Sequence, residues 1–203
     1  MCNKITEIII NGAVGTAPLS ILTKNNIKSV MSGGGFVTHD QFKKAADYWK
    51  NKKQNAIPEE QLKKTVLEYI NSNNTCTLAT GTGDYVRCTP IEYSYHDGKF
   101  WMFSEGGEKF IGLEKNENVC LAIYDKYDET GNLKSIQVMG KAELVEPFSD
   151  TYNKHAKIKK IPVEALKKLA SPMNIICVTP VKMEVLFSEF KKNGYSSRQT
   201  IEF

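Results

Sequence analysis

No stretch of this sequence approaches the roughly 20 consecutive apolar residues that a membrane-spanning helix needs. The apolar cluster near the start, Ile8-Ile9-Ile10, is far shorter and lacks the form of a secretory leader, so we expect a cytoplasmic protein without a membrane partner. Charge of one sign is also lacking. The 27 basic and 23 acidic residues leave a net +4 and are mixed along the chain, with no block that would follow a phosphate backbone, which argues against nucleic acid. Cysteines number five, with no CxxC pair and no Cys/His cluster at metal-ligand spacing, so neither zinc nor a disulfide framework is expected. Cys76, Cys88, Cys120 and Cys177 sit in apolar or β-rich runs and are expected to be small buried hydrophobes. There is no internal repeat, no Ser/His/Asp or Cys/His constellation, and no carboxylate pair that stands out as an acid/base couple.

What is present reads as one functional unit: 203 residues with 41% apolar content suit a single sizeable core with an appendage. Residues 1–37 carry short apolar stretches and the run Gly33-Gly34-Gly35. That run lacks the Lys-Ser/Thr ending of a phosphate loop and is read as a flexible turn. Thr38 and Gln41 match a capping box, and Phe42, Ala45, Ala46 and Trp49 share a face, which predicts a helix over 39–53. Pro58, Glu59 and Glu60 begin a second helix whose stripe is Leu62, Val66, Tyr69 and Ile70, ending near Asn71.

From Thr75 the pattern turns to strands. Thr75–Thr80, Tyr85–Tyr95 and Lys99–Ser104 are expected as a three-stranded meander, with Asp97-Gly98 as a two-residue hairpin turn. A short helix over Glu108–Asn116 and strands Val119–Tyr124 and Ser135–Val145 follow. Phe148–Leu169 is expected to be helical with a break at Ile161-Pro162. The last strands, Asn174–Thr179 and Lys182–Phe190, are divided by Pro180, and a polar tail runs over Lys191–Phe203. The fold class is α+β: a mostly antiparallel, barrel-like sheet with peripheral helices.

The order Cys76-Thr-Leu-Ala-Thr80, Arg87-Cys-Thr-Pro90, Phe100-Trp-Met-Phe-Ser104, Glu108-Lys109, Asn118-Val-Cys-Leu-Ala-Ile-Tyr124 and Val138-Met-Gly140 resembles the pyridoxamine-5'-phosphate-oxidase-related family of FMN-binding split barrels. It lies within Asn74–Glu146, about the middle third of the chain. The resemblance implies a split β-barrel over 58–203, preceded by a 1–57 extension with one helix, and a homodimer with FMN at the subunit interface. It also implies that Arg87, Ser104 and Lys109 hold the phosphate, while Cys88, Thr89 and Pro90 approach the ring edge through backbone groups. Gln137 is a weaker candidate for the flavin's polar atoms. The residue chemistry agrees, because a phosphate wants convergent cations, a hydroxyl and backbone amides. Pro90 inside a strand points to an edge where the ladder opens. Tyr93 and Trp101 are read as core in preference to ring contacts.

The pattern departs from the vitamin-converting oxidases, which carry a lysine soon after the strand arginine, an arginine before the helix lysine and an Arg/His pair near the C-terminus. Here Glu92 and Glu108 fall in the first two regions, and Ser197–Phe203 has no histidine. Oxidation of pyridoxamine phosphate is therefore disfavoured. The leading expectation is an FMN oxidoreductase passing electrons or hydride from a reduced nicotinamide or other donor to a small acceptor, with the flavin carrying the chemistry. The alternatives are a non-catalytic flavin- or haem-binding protein and a haem-degrading relative, for which His39, His96 and His155 are the candidate iron ligands. His96, beside the Asp97-Gly98 turn, is read as a solvated loop histidine.

Overall fold

The computed structural model describes residues 38–129 and 131–203. The readings of Ile8–Ile10 and Gly33–Gly35 lie outside them. The chain divides into two compact units, Met1–Lys53 and Gln54–Phe203. In the first, α1 (His39–Asn51) starts at the expected capping box: Gln41 N–H donates to Thr38 Oγ1 at 3.3 Å, and Thr38 N–H donates to Gln41 Oε1 at 2.7 Å.

The second unit holds an eight-stranded sheet in which every pair is antiparallel. Its strands are β1 (Thr75–Thr82), β2 (Tyr85–Glu92), β3 (Ser94–His96), β4 (Lys99–Ser104), β5 (Asn118–Tyr124), β6 (Lys134–Val145), β7 (Asn174–Phe187) and β8 (Arg198–Glu202). The spatial order is β2-β1-β5-β6-β7-β4-β3, with β8 also on β7. β2 and β3 lie at opposite ends of this order although Tyr93 alone separates them in the chain. The sheet must therefore curl until its two edges meet, which makes it a split barrel.

The crossing at Tyr93 is why the expected meander over 75–104 is not made. Tyr93 N–H donates to Asn74 O and its hydroxyl to Ile70 O, each at 2.7 Å, while the buried ring packs edge-on against Phe100. These contacts turn the chain away from β1 and deliver β3–β4 to the far edge as a separate hairpin. Its Asp97-Gly98 turn has positive φ at both residues, the geometry that matches strand twist.

Helix α2 (Glu59–Ser72), with Pro58 at its N-cap, buries Leu62, Val66, Tyr69 and Ile70 against the inward-facing residues of the sheet. α4 (Asp150–Ile158) and α5 (Val163–Leu166), separated at Ile161-Pro162 as expected, cover the outer face of β4 and the start of β7. Those two strands are consequently buried on both faces: Phe100, Met102, Ile176 and Val178 point in, while Trp101, Ile175 and Cys177 point out. Two-sided burial explains the unbroken apolar run Phe100–Phe103.

β7 continues through Pro180, where two strands were expected. β4 covers its one side over Asn174–Val178 and β8 over Lys182–Leu186, so Pro180 falls in the gap between two partners and beside a bulge opposite Gly140. Such a gap is where a strand tolerates proline. The C-terminal residues are likewise structured: a 3₁₀ turn (Ser188–Asn193) leads into β8, which buries Gln199 and Ile201. Alternation of these two residues supplies the partner that the second half of β7 needs. Cys76 and Cys177 are buried and Cys120 half-buried, but Cys88 is exposed, because β2 is an edge strand whose outer face is uncovered.

A Cβ on Gly140 would lie 2.7 Å from both Thr179 O and Val178 Cγ1, so the backbone of β7 would have to move. Gly140→Ala is expected to cost about 1–3 kcal/mol, measured as a lower urea midpoint with an unchanged slope.

Candidate functional site

Strand register sorts the residues singled out from the sequence onto two faces. Arg87 is opposite Thr80, and Thr89 opposite Leu78, on the inner face; Cys88 is opposite Ala79 and Pro90 opposite Thr77, on the outer. Ser104 ends β4 on the inner side, in step with Phe100 and Met102. A short helix α3 (Lys109–Leu113) follows the Glu105-Gly106-Gly107 loop. Gly112 seats it on β1, since a Cβ there would come within 2.8 Å of Gly81 N, and Asn116 Nδ2 donates to Gly81 O at 2.9 Å. This docking brings Lys109 beside Arg87. α3 has five residues, so it contributes placement and no appreciable macrodipole.

Arg87, Ser104 and Lys109 do come together. The Lys109 ammonium donates to Gly106 O and lies over the Phe110 ring at 5.4 Å; Ser104 Oγ accepts from Gly106 N–H at 3.3 Å and lies 3.3 Å from Gly106 O. Lys109 is only 9% exposed. Burial first, and then the positive charge of Arg87, push its ammonium below the ordinary lysine range. Among the described residues no carboxylate pairs with it. Thr80 Oγ1, next to Gly112, is buried without a hydrogen-bond partner. Arg87 itself pairs with Glu108, whose backbone carbonyl and carboxylate lie 3.3 and 3.5 Å from the Tyr85 hydroxyl. Sequence reading noted Glu108 as a departure from the family pattern and missed that it holds Arg87.

Gln137 is not part of this cluster. It is exposed on the outer face of β6, in the transverse row Pro90, Thr77, Ala122, Gln137 that crosses β2, β1, β5 and β6. Small side chains floor this face, and a groove of about 600 Å³ lies beside it, lined among others by Ala79, Gly81, Val86, Cys120, Met139 and Gly140.

A second polar cluster lies on the outside of β4. His96 Nε2 and His155 Nδ1 are 2.8 Å apart, and Trp101 stacks on both rings at 5.1 Å while its Nε1–H donates to His96 O. Asp97 Oδ2 lies 3.4 Å from His96 Nδ1, which favours a proton on that nitrogen and makes Nε2 the acceptor of His155 Nδ1–H. His155 Nε2 is then a buried lone pair with no partner. His96 is thus half-buried and paired, not a solvated loop residue; the 59-residue separation from His155 left no sequence signal of the pair. Tyr93 and Trp101 are both core residues, as expected. Among the described residues no group of three His, Cys, Asp or Glu side chains forms a metal site, and no helix is long and apolar enough to cross a membrane.

Residues 62–187 match the sequence profile of the pyridoxamine 5'-phosphate oxidase family. The chain belongs to that family. No curated protein matches the sequence. Among solved structures, ChuZ of Campylobacter jejuni is similar over 73% of this chain and 62% of its own, at 16% identity and a TM-score of 0.56. A haem-binding protein of Mycobacterium smegmatis is similar over 66% and 56%, at 17% identity and a TM-score of 0.50. An FAD-binding protein of Mesorhizobium loti is similar over 60% and 89%, at 16% identity and a TM-score of 0.48. At these identities the likeness is one of fold. The family match covers α2 from Leu62 onward and all strands through β7, so it takes in both polar clusters.

His155 gives the barrel a pH dependence. Burial above all, with the neighbouring Lys159 ammonium and the electrostatic influence of the His96 ring, lowers its pKa from 6.5 to about 4. The unfolded chain therefore binds a proton in this window that the folded chain refuses, so stability is full above about 6.5 and is lost as pH falls towards about 4. The loss is expected to reach roughly 3 kcal/mol in urea unfolding followed against pH, and His155→Phe should flatten that profile.

Proposed function

We propose that this protein is a flavoprotein in which Arg87, Lys109 and Ser104 hold the phosphate of FMN. The observation that carries this reading is a buried ammonium, Lys109, with no carboxylate partner among the described residues, adjoining the guanidinium of Arg87. A buried cation is costly unless an anion or several hydrogen bonds compensate it, and a phosphate would supply both. The unpartnered Thr80 hydroxyl nearby is a further donor. The set therefore fits a phosphomonoester. Cys88, Thr89 and Pro90 would meet the ring edge from the β2 edge strand, and Gln137 would reach flavin polar atoms across the small-residue face.

Family membership supports a flavin, and when bound the flavin would carry electrons or hydride from a reduced nicotinamide or other donor to a small acceptor. The chain's own part would be to anchor, orient and exclude water. The outer face with its groove, and the exposed Val86 and Val181 beside it, is where a second copy would complete a homodimer. The namesake oxidation is not part of this proposal: Glu108 precedes Lys109 where the vitamin-converting oxidases carry an arginine, and Glu92 pairs with Lys159 at 2.9 Å, so carboxylates stand where that substrate's phosphate would want cations. A haem-binding reading is less well supported by the histidines of this unit, since His96 and His155 bond to each other and the remaining ring nitrogen, His155 Nε2, is buried.

The purified protein is expected to show the near-ultraviolet and blue bands of oxidised flavin, natively or on reconstitution; a Soret band in their place would favour haem. Arg87→Ala with Lys109→Ala should weaken FMN by about 100-fold or more, leaving riboflavin affinity nearly unchanged. Equal losses for both ligands in calorimetric titration would remove the phosphate assignment. Rapid bleaching by NADH or NADPH that reverses on adding an acceptor would separate an enzyme from a binding module.

A further inference from the structure

Among the described residues Glu108 is the one carboxylate paired with the Arg87, Ser104 and Lys109 trio, and it is fixed there by its backbone. It directly precedes Lys109, and the Tyr85 hydroxyl lies within 3.5 Å of both its carbonyl oxygen and its carboxylate. Its carboxylate engages the Arg87 guanidinium, the group a phosphate would have to engage. Resting on the phosphate reading above, we propose that Glu108 is a specificity-determining residue: a built-in anionic competitor that limits the preference for a dianionic phosphomonoester.

Two physical points carry this. Arg87 and Glu108 side chains are 44% and 62% exposed, so their pair is solvent-screened and a phosphate can displace it. The displaced carboxylate cannot go far, because its backbone is tied to α3, which Gly112 holds against β1. With Arg87 and Lys109 positive and Glu108 negative, an arriving phosphate meets one net positive charge instead of two. A phosphomonoester, carrying close to two charges, feels the retained carboxylate most. A phosphodiester, with one charge per phosphorus, feels it less, and an uncharged ribityl chain hardly at all.

The test is calorimetric titration of the full chain and its Glu108→Gln variant with FMN, FAD and riboflavin at low salt, alongside the Arg87→Ala/Lys109→Ala double variant. Glu108→Gln is expected to tighten FMN by about tenfold and FAD by less, with riboflavin unchanged within about twofold. Unchanged FMN affinity, or equal tightening of FMN and riboflavin, would overturn the proposal while the double variant's selective loss of FMN kept the phosphate site. If the double variant instead lost FMN and riboflavin equally, the phosphate reading and this proposal would both fall.

Discussion

One residue, Tyr93, holds the two edges of the sheet to a single line of chain. β2 ends immediately before it and β3 begins immediately after it, yet these strands have no common neighbour. The tyrosine is anchored twice to the α2–β1 corner, through Ile70 O and Asn74 O, and its ring is buried against Phe100. With that anchor in place the sheet can only curl, and its inner face receives the Leu62, Val66, Tyr69 and Ile70 stripe of α2. The curl also leaves β2 as an edge with Arg87 turned inward and Cys88 and Pro90 turned outward. The separation of the Arg87, Ser104 and Lys109 cluster from the small-residue outer face follows from this one crossing.

Much of the split barrel was readable because local chemistry and period agreed. The capping box at Thr38, the Leu62/Val66/Tyr69/Ile70 stripe and the Asp97-Gly98 turn each act within a few residues, and all appear as read. What failed was long-range. Nothing near Tyr93 announces that the strand changes edge there. Pro180 looked like a terminator because a sequence does not show that two different strands share β7 and leave a gap at the proline. β8 looked like a polar tail because Gln199 and Ile201 have no meaning until the second half of β7 lacks a neighbour. At the candidate site, Arg87, Ser104 and Lys109 were legible through family pattern and charge chemistry together. The pairing of Arg87 with Glu108 and of His96 with His155 was not, since each depends on the curl.

The two polar clusters lie on opposite faces of β4 and handle burial in opposite ways. On the inner side a basic group is held at the edge of the core: burial and then Arg87 push the Lys109 pKa down, and its Nζ donates to the Gly106 carbonyl. On the outer side charge is refused: His155 is kept neutral, pinned by Trp101 and His96. A buried cation with no carboxylate beside it leaves its charge uncompensated, whereas a buried neutral imidazole in an aromatic stack carries no charge to compensate.

The long strand β7 has a kinetic consequence. Its partners are β4, β6 and β8, and the β4 ladder joins residues some 70 positions apart, as with Ser104 and Asn174. Little of the barrel can therefore be stabilised until the chain beyond residue 174 has reached the sheet. Ladders that join such distant segments slow folding, towards the millisecond-to-second regime of all-β barrels. During synthesis the segments from β1 to β6 must wait with unpaired edges, and the exposed edge-strand proline, Pro90, is well placed to discourage them from pairing with another chain.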